Sequence, residues 1–171
     1  KEDIKKQEDF FDFQKKWYLT LYGFSSENEL ASYLKEKPII LDAGCGLGYK
    51  ARWFADLAPD STVLGIDYSD AVAVAAKRYK NTRNLIWVKG DIADTGILPE
   101  IIDYISCDQV IMHTENPART FKELVRILKP SNDFSVYVYA KKALPRELLD
   151  DHFRIKTKSL SHEDMRELSE Q

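Results

Sequence analysis

Only two cysteines, Cys45 and Cys107, occur in the 171 residues. Two thiols cannot build the disulfide framework that holds small secreted domains, so stability must come from a packed core. Both are expected to be small buried residues and not a redox pair. No apolar run approaches the roughly 20 residues a membrane helix needs. No apolar segment follows the basic start Lys1–Lys6, which leads into Gln7-Glu8-Asp9. A secretory leader pattern is therefore missing, and a cytoplasmic protein without a membrane span is expected. Basic residues are not in excess: 25 Lys and Arg face 28 Asp and Glu, a net charge of -3. That balance weighs against a nucleic-acid surface. The three histidines, His113, His152 and His162, are scattered, and no metal-ligand spacing is present. There is no internal repeat and no low-complexity tract. What is present is 44% hydrophobic and 31% charged residues, enough for one packed domain.

The chain alternates between two periodicities. Short apolar runs at 39–41, 62–66, 85–88, 104–107 and 134–139 read as strands. Helical patterns separate most of them. Trp53, Phe54 and Leu57 mark one helix, closed by Pro59. Residues 70–79 form a second, alanine-rich helix that Ser69 or Asp70 can cap. Asn116-Pro117 starts a third, with Phe121, Leu124, Val125 and Leu128 at helical spacing. Residues 93–102 fit a short helix or a loop equally well. Ahead of the first strand, Phe10, Phe13, Trp17 and Leu21 form one apolar stripe, and Ser26 with Glu29 makes a capping box. The stripe reads as a helix packed on the domain or as a lid. Alternating strands and helices call for a three-layer, Rossmann-like α/β fold, a parallel sheet with helices on both faces.

Four successive strands end in or soon reach an acid: Asp42, Asp67, Asp91 and Asp108. In such sheets ligands sit beyond the carboxyl ends of the strands. The first strand runs directly into Gly44-Cys45-Gly46-Leu47-Gly48, where glycines let backbone N–H groups approach a ligand closely. The spacing is G-x-G-x-G. The third glycine of the dinucleotide pattern G-x-G-x-x-G would fall at Tyr49, which counts against an NAD-dependent oxidoreductase. Asp67 ends the following strand, where an acid can accept both hydroxyls of an adenosine ribose.

Leu41 to Gly48 resembles the first motif of class I S-adenosylmethionine-dependent methyltransferases. Gly65 to Ser69 resembles their second motif and Lys89 to Ile92 their third. Asp108 to His113, with the Phe121–Pro130 helix, is similar to the small-molecule, methyltransferase-domain type 11-like branch. The likeness covers residues 38–142, preceded by an aromatic helical cap at 1–37 and followed by a helical extension at 143–171. It implies S-adenosyl-L-methionine as cofactor, S-adenosyl-L-homocysteine as product and a small-molecule or glycan-linked acceptor. It also implies roles. Gly44, Gly46 and Gly48 would wrap the methionine end, with the Ala43 and Gly44 backbone close to it, and Asp42 would orient the loop or reach the cofactor amino group through water. Asp67 would hold the ribose and Tyr68 would flank the adenine. Asp91 and the Ile92 backbone would read the adenine edge. Asp108 and Gln109 would border the sulfonium, and His113 is the candidate general base.

Two departures from the family pattern stand out. Its sheet continues past the fifth strand with an antiparallel pair, and no strand pattern follows Tyr139. Ser131-Asn132 replaces a Gly-Gly pair, with Asn132 expected to carry any positive φ. The chain stops inside a helical pattern, so the C-terminal strands are expected to be missing or beyond this piece. An interaction module that binds the cofactor without catalysis is the alternative reading.

Overall fold

The computed structural model describes residues 2–140 and 144–169. These form two units, 1–138 and 139–171. In the first, α1 (Glu2–Leu21) and α2 (Glu27–Lys35) precede β1 (Ile39–Ala43), α3 (Tyr49–Leu57), β2 (Thr62–Asp67) and α4 (Ala71–Arg78). Then come β3 (Leu85–Lys89), β4 (Ile102–Asp108), a single 3₁₀ turn at Ile111–His113, α5 (Pro117–Ile127) and β5 (Leu128–Tyr137). The sheet order is β3-β2-β1-β4-β5, with every pair parallel. Chain order reverses between β1 and β4; β4 ends there in Asp108, and Asp42 is the last residue but one of β1. The second unit holds α6 (Leu144–Thr157) and α7 (His162–Ser169). Among the described residues no strand follows Tyr137; residues 141–143 lie outside them.

The two sheet faces carry separate cores. On one, Ile40, Val63, Leu85 and Tyr104 pack against Tyr18, Leu30, Leu34 and Phe54 of the first three helices. On the other, Leu41, Ile66, Ile105 and Cys107 pack against Leu124 and Ile127 of α5. The register explains the division, since successive residues of each strand point to opposite faces. Asn84 closes the far end of the sheet by donating to the carbonyls of Ala55, Ala58 and Ser61 at 3.0–3.1 Å.

Several local expectations need correcting. The inward face of α1 is buried Tyr18 with half-buried Phe11, continued by Tyr22 just after the helix, whereas Phe13, Trp17 and Leu21 are exposed; the Phe10 side chain lies outside the described residues. The reason is polar. Tyr18 Oη lies 2.5 Å from Tyr104 Oη and donates to Ser106 Oγ, and Tyr22 Oη donates to Asp108 Oδ1 at 3.1 Å. A tyrosine face can pack its ring and satisfy its hydroxyl on the polar ends of β4, which phenylalanine cannot do. In α5 the buried positions are Thr120, Leu124 and Ile127, while Phe121 and Val125 are half exposed. β5 begins at Leu128, not at 134, because Leu128 pairs with Ile102 before a register break; beyond it Asp133 pairs with Tyr104. Ser131, not Asn132, carries the positive φ within that break (63°).

Two caps behave as read. Ser26 Oγ accepts from the Glu29 N–H, although the Glu29 carboxylate turns to Ser25, not to Ser26. Asn116 Oδ1 accepts from the Arg119 N–H with Pro117 in the first turn.

Residues 90–101 form a loop, not a helix. Glu123 holds that loop by accepting from the Thr95 N–H and hydroxyl, and Arg126 donates to the Ile97 carbonyl at 2.8 Å. The Arg126 guanidinium and the Thr95 donors hold the Glu123 carboxyl down at about 2. A carboxyl lowered on folding contributes stability above its unfolded value, about 4.3, and loses it as pH falls through the folded value. Urea unfolding at pH 5 and pH 2.5 is therefore expected to show a larger drop for wild type than for Glu123→Gln.

Candidate active site

The glycine loop is shaped by what surrounds each glycine. Gly44, Gly46 and Gly48 all have positive φ, between 51° and 78°. A β-carbon at Gly44 would overlap the Val110 side chain, and one at Gly48 would strike the Trp87 ring. Gly65 is part of the same arrangement: its β-carbon would lie 2.7 Å from Trp87 ring carbons. Trp87, stacked on Tyr79, thus fills the space that Gly48 and Gly65 leave under the loop. Gly46 differs, because nothing lies within 4 Å of the corresponding point. It is the glycine that faces open space.

The loop hangs from β2. Gly44 and Cys45 N–H groups donate to the Ile66 carbonyl at 2.8 and 3.0 Å. Asp67 Oδ2 accepts from the Gly46 N–H at 2.7 Å, while Oδ1 accepts from the Ser69 N–H and hydroxyl at 2.9 and 2.6 Å. Ser69 Oγ in turn accepts from the Ala71 N–H and so starts α4. Asp67 therefore ties the loop to the next helix with lone-pair capacity left over.

Two cavities, each of about 400 Å³, flank the loop, and Gly44 borders both. Asp67, Tyr68, Asp91, Ile92, Val110 and His113 line one. Tyr18, Asp42, Lys50, Trp53, Asp108 and Gln109 are among those lining the other, which runs under α1. The structure therefore divides the sequence-derived residues. Asp67, Tyr68, Asp91 and Ile92 share a cavity with His113, and Asp42, Asp108 and Gln109 share the second. Tyr68 is 79% exposed at the rim. Gln109 adopts φ 60°, an uncommon conformation for a residue with a side chain, directly after β4. His113 lies in the cavity of Asp67 and Asp91, not in that of Asp108. His152 is exposed on α6, and the His162 side chain is outside the described residues.

Asp42 is the most constrained group here. Its relative exposure is 0%, and neither carboxylate oxygen reaches solvent; the Lys50 ammonium and the Ala51 backbone N–H are the donors that face it. Lys50 Nζ stands 3.1 Å from Oδ1 as its ion-pair partner. Burial pushes the Asp42 carboxyl up, and Lys50 opposes that. For Lys50, burial pulls the ammonium down, but Asp42 and Asp108 outweigh it and hold it up. Lys50 was not legible as a site residue. The signal that could have found it is its place in the first turn after the loop, which folds back over the strand end. Both thiols are buried, and burial raises them, Cys107 to about 12.

A cavity lined by the buried Asp42–Lys50 pair and by Asp108 fits a ligand end that carries charge. A cavity edged by two strand-end acids fits a nucleoside. Among the described residues, no group of three or more His, Cys, Asp and Glu converges on a metal-sized point, and no helix is long and apolar enough to cross a membrane.

Comparison with known proteins agrees with this chemistry. The family model described as a methyltransferase domain matches residues 41–136, more than half of the chain. A sterol 24-C-methyltransferase of Clavispora lusitaniae is 28% identical over 126 residues, which cover 71% of this chain and 33% of that protein. The chain thus spans about a third of the length of that relative. A SAM-dependent methyltransferase from Aquifex aeolicus shares the fold with a TM-score of 0.58, at 18% identity over 71% of each chain. The YcgJ protein of Bacillus subtilis gives a TM-score of 0.61 at 20% identity, covering 72% of this chain and 57% of that one. On its motifs, its sheet and its family match, the chain belongs to the methyltransferase-domain family, within the class I S-adenosylmethionine-dependent methyltransferases.

Proposed function

We propose that this chain binds S-adenosylmethionine across the carboxyl edge of its sheet and serves methyl transfer to a small-molecule or glycan-linked acceptor. The observation that carries the reading is the pair of cavities that meet at Gly44, with Asp67 and Asp91 lining one and the buried Asp42–Lys50 pair lining the other. The nucleoside end belongs with Asp67, Asp91 and the Ile92 backbone, and the adenine lies against Tyr68. The amino-acid end belongs over Ala43, Gly44 and Gly46, with Asp42, Asp108 and Gln109 around it. Gly48 supports the loop by admitting Trp87 beneath it.

When bound, the cofactor supplies a methyl group already activated on a sulfonium. The protein's part is to align an acceptor and exclude water. Tyr22 fixes the Asp108 carboxylate, and Tyr18 fixes α1 over the cavity where the acceptor enters. The net charge of -3 favours a small acceptor over a nucleic acid. His113 stands on the nucleoside side, so its first role is contact with the adenosine. Proton removal from an acceptor would require reach across Gly44. His113→Ala is accordingly expected to weaken S-adenosylhomocysteine binding about three- to tenfold, the cost of one lost hydrogen bond. Unchanged affinity combined with lowered turnover would return it to the role of base.

Calorimetry with S-adenosylhomocysteine and NADH tests the cofactor. Micromolar or tighter binding of the first, with no heat from the second, is expected. The reverse pattern would assign the site to a nicotinamide cofactor.

A further inference from the structure

A lysine in the first turn of a helix ordinarily extends into water, because its long stem keeps the charge solvated. Lys50 instead turns inward. Its side chain is 19% exposed, its ammonium is 3.1 Å from Asp42 Oδ1, and it lies 5.9 Å from the Tyr18 ring centre. The same cavity is lined by Asp108, by Lys15 and by Trp53. Asp108 accepts from Tyr22 at 3.1 Å. Lys15 lies over the rings of Phe11 and Trp53 on the wall of the same cavity and is 3.7 Å from Glu27. Two acids and two lysines thus line one cavity, and Lys50 is the lysine paired to the buried acid at the end of β1.

That set is complementary to a zwitterion. An ammonium head has three donors, and Asp42 engages one of them. The others remain for a ligand carboxylate, while Asp108, the acid of this cavity that is not sealed off, takes a ligand ammonium. We propose that Lys50 recognises the carboxylate of the cofactor's amino-acid end, so that this chain discriminates carboxylated from decarboxylated adenosyl ligands. The inference rests on the cofactor reading above. A ligand without the carboxylate would place its own cation opposite Lys50 with nothing between them, which turns an attraction into a repulsion.

The experiment compares three neutral-sulfur ligands by calorimetry: S-adenosylhomocysteine, its decarboxylated analogue S-adenosyl-3-thiopropylamine, and 5′-methylthioadenosine. Wild type is expected to prefer S-adenosylhomocysteine over the decarboxylated analogue by about 10- to 100-fold, the range for a charge-assisted hydrogen bond. Lys50→Met is expected to erase that preference while 5′-methylthioadenosine binds within threefold of wild type. The latter result shows that the fold and the nucleoside cavity survive. Should Lys50→Met not fold, because it leaves Asp42 buried alone, the double variant Asp42→Asn/Lys50→Met removes both charges and is expected to give the same loss of preference. Equal affinity of wild type for the first two ligands, or a preference that survives in the variants, overturns the role of Lys50 and leaves the cofactor reading intact. Failure of wild type to bind any of the three overturns the cofactor reading itself.

Discussion

Asp67→Ala is expected to reduce S-adenosylhomocysteine affinity by about 10- to 100-fold, because one charge-assisted contact is worth that much. The effect has two sources. One is direct: the proposed site gives the remaining acceptor position of Asp67 to a ribose hydroxyl. The other is structural, since its carboxylate receives the Gly46 N–H at 2.7 Å and both donors of Ser69. Removing it frees the loop from β2 and leaves those groups without their acceptor. A loss of about 1–3 kcal/mol in folding stability should accompany the binding defect. Asp67→Asn separates the two sources. Its amide oxygen can still accept from Gly46, so the stability loss should be smaller, while the binding loss stays large because the charge is gone. Calorimetry and urea unfolding on the same samples measure both. Affinity within threefold of wild type for the alanine variant would remove Asp67 from the site.

Gly44→Ala is expected to damage both folding and binding. The added methyl meets Val110, and alanine must hold φ 77°. The left-handed conformation costs about 1–2 kcal/mol for a residue with a β-carbon. Overpacking against a branched side chain adds about 1–3 kcal/mol. Together they should lower folding stability by about 3 kcal/mol and abolish ligand binding, since Gly44 borders both cavities. Val110→Ala in the same chain relieves only the steric part. The double variant should recover roughly half of the lost stability and none of the conformational part. Full recovery would mean that the backbone conformation matters little, and no recovery would mean that Val110 is not the obstacle. Gly46→Ala provides the contrast: it meets no neighbour, so its stability loss should be the conformational term alone.

Much of the sheet was legible because its strands are short apolar runs that stop at acids or glycines. All five are legible there, with ends within two residues except at the start of β5. β5 was read too short because Leu128 leaves α5 directly into the sheet, and its pairing with Ile102 is a long-range fact that no local pattern carries. The face of α1 was misjudged for a related reason. By hydropathy alone, Phe13 and Trp17 outrank Tyr18 and Tyr22. What decides the face is the set of acceptors at Tyr104, Ser106 and Asp108, some 86 residues away in sequence. The acids and glycines of the loop were legible as a set because each must stand at a strand end for the pattern to arise. Two aspects were not. Trp87 explains why Gly48 and Gly65 must lack side chains, yet its contact with them is made across strands. Lys50 looked like an ordinary surface lysine until α3 folded over the end of β1.

A crystal structure with S-adenosylhomocysteine bound examines the cofactor reading without reference to any acceptor. Adenosine should occupy the cavity of Asp67, Asp91 and His113, and the homocysteine end should pass Gly44 to reach Asp42 and Lys50. Adenosine lodged under α1, or ligand absent from both cavities at saturating concentration, would contradict it.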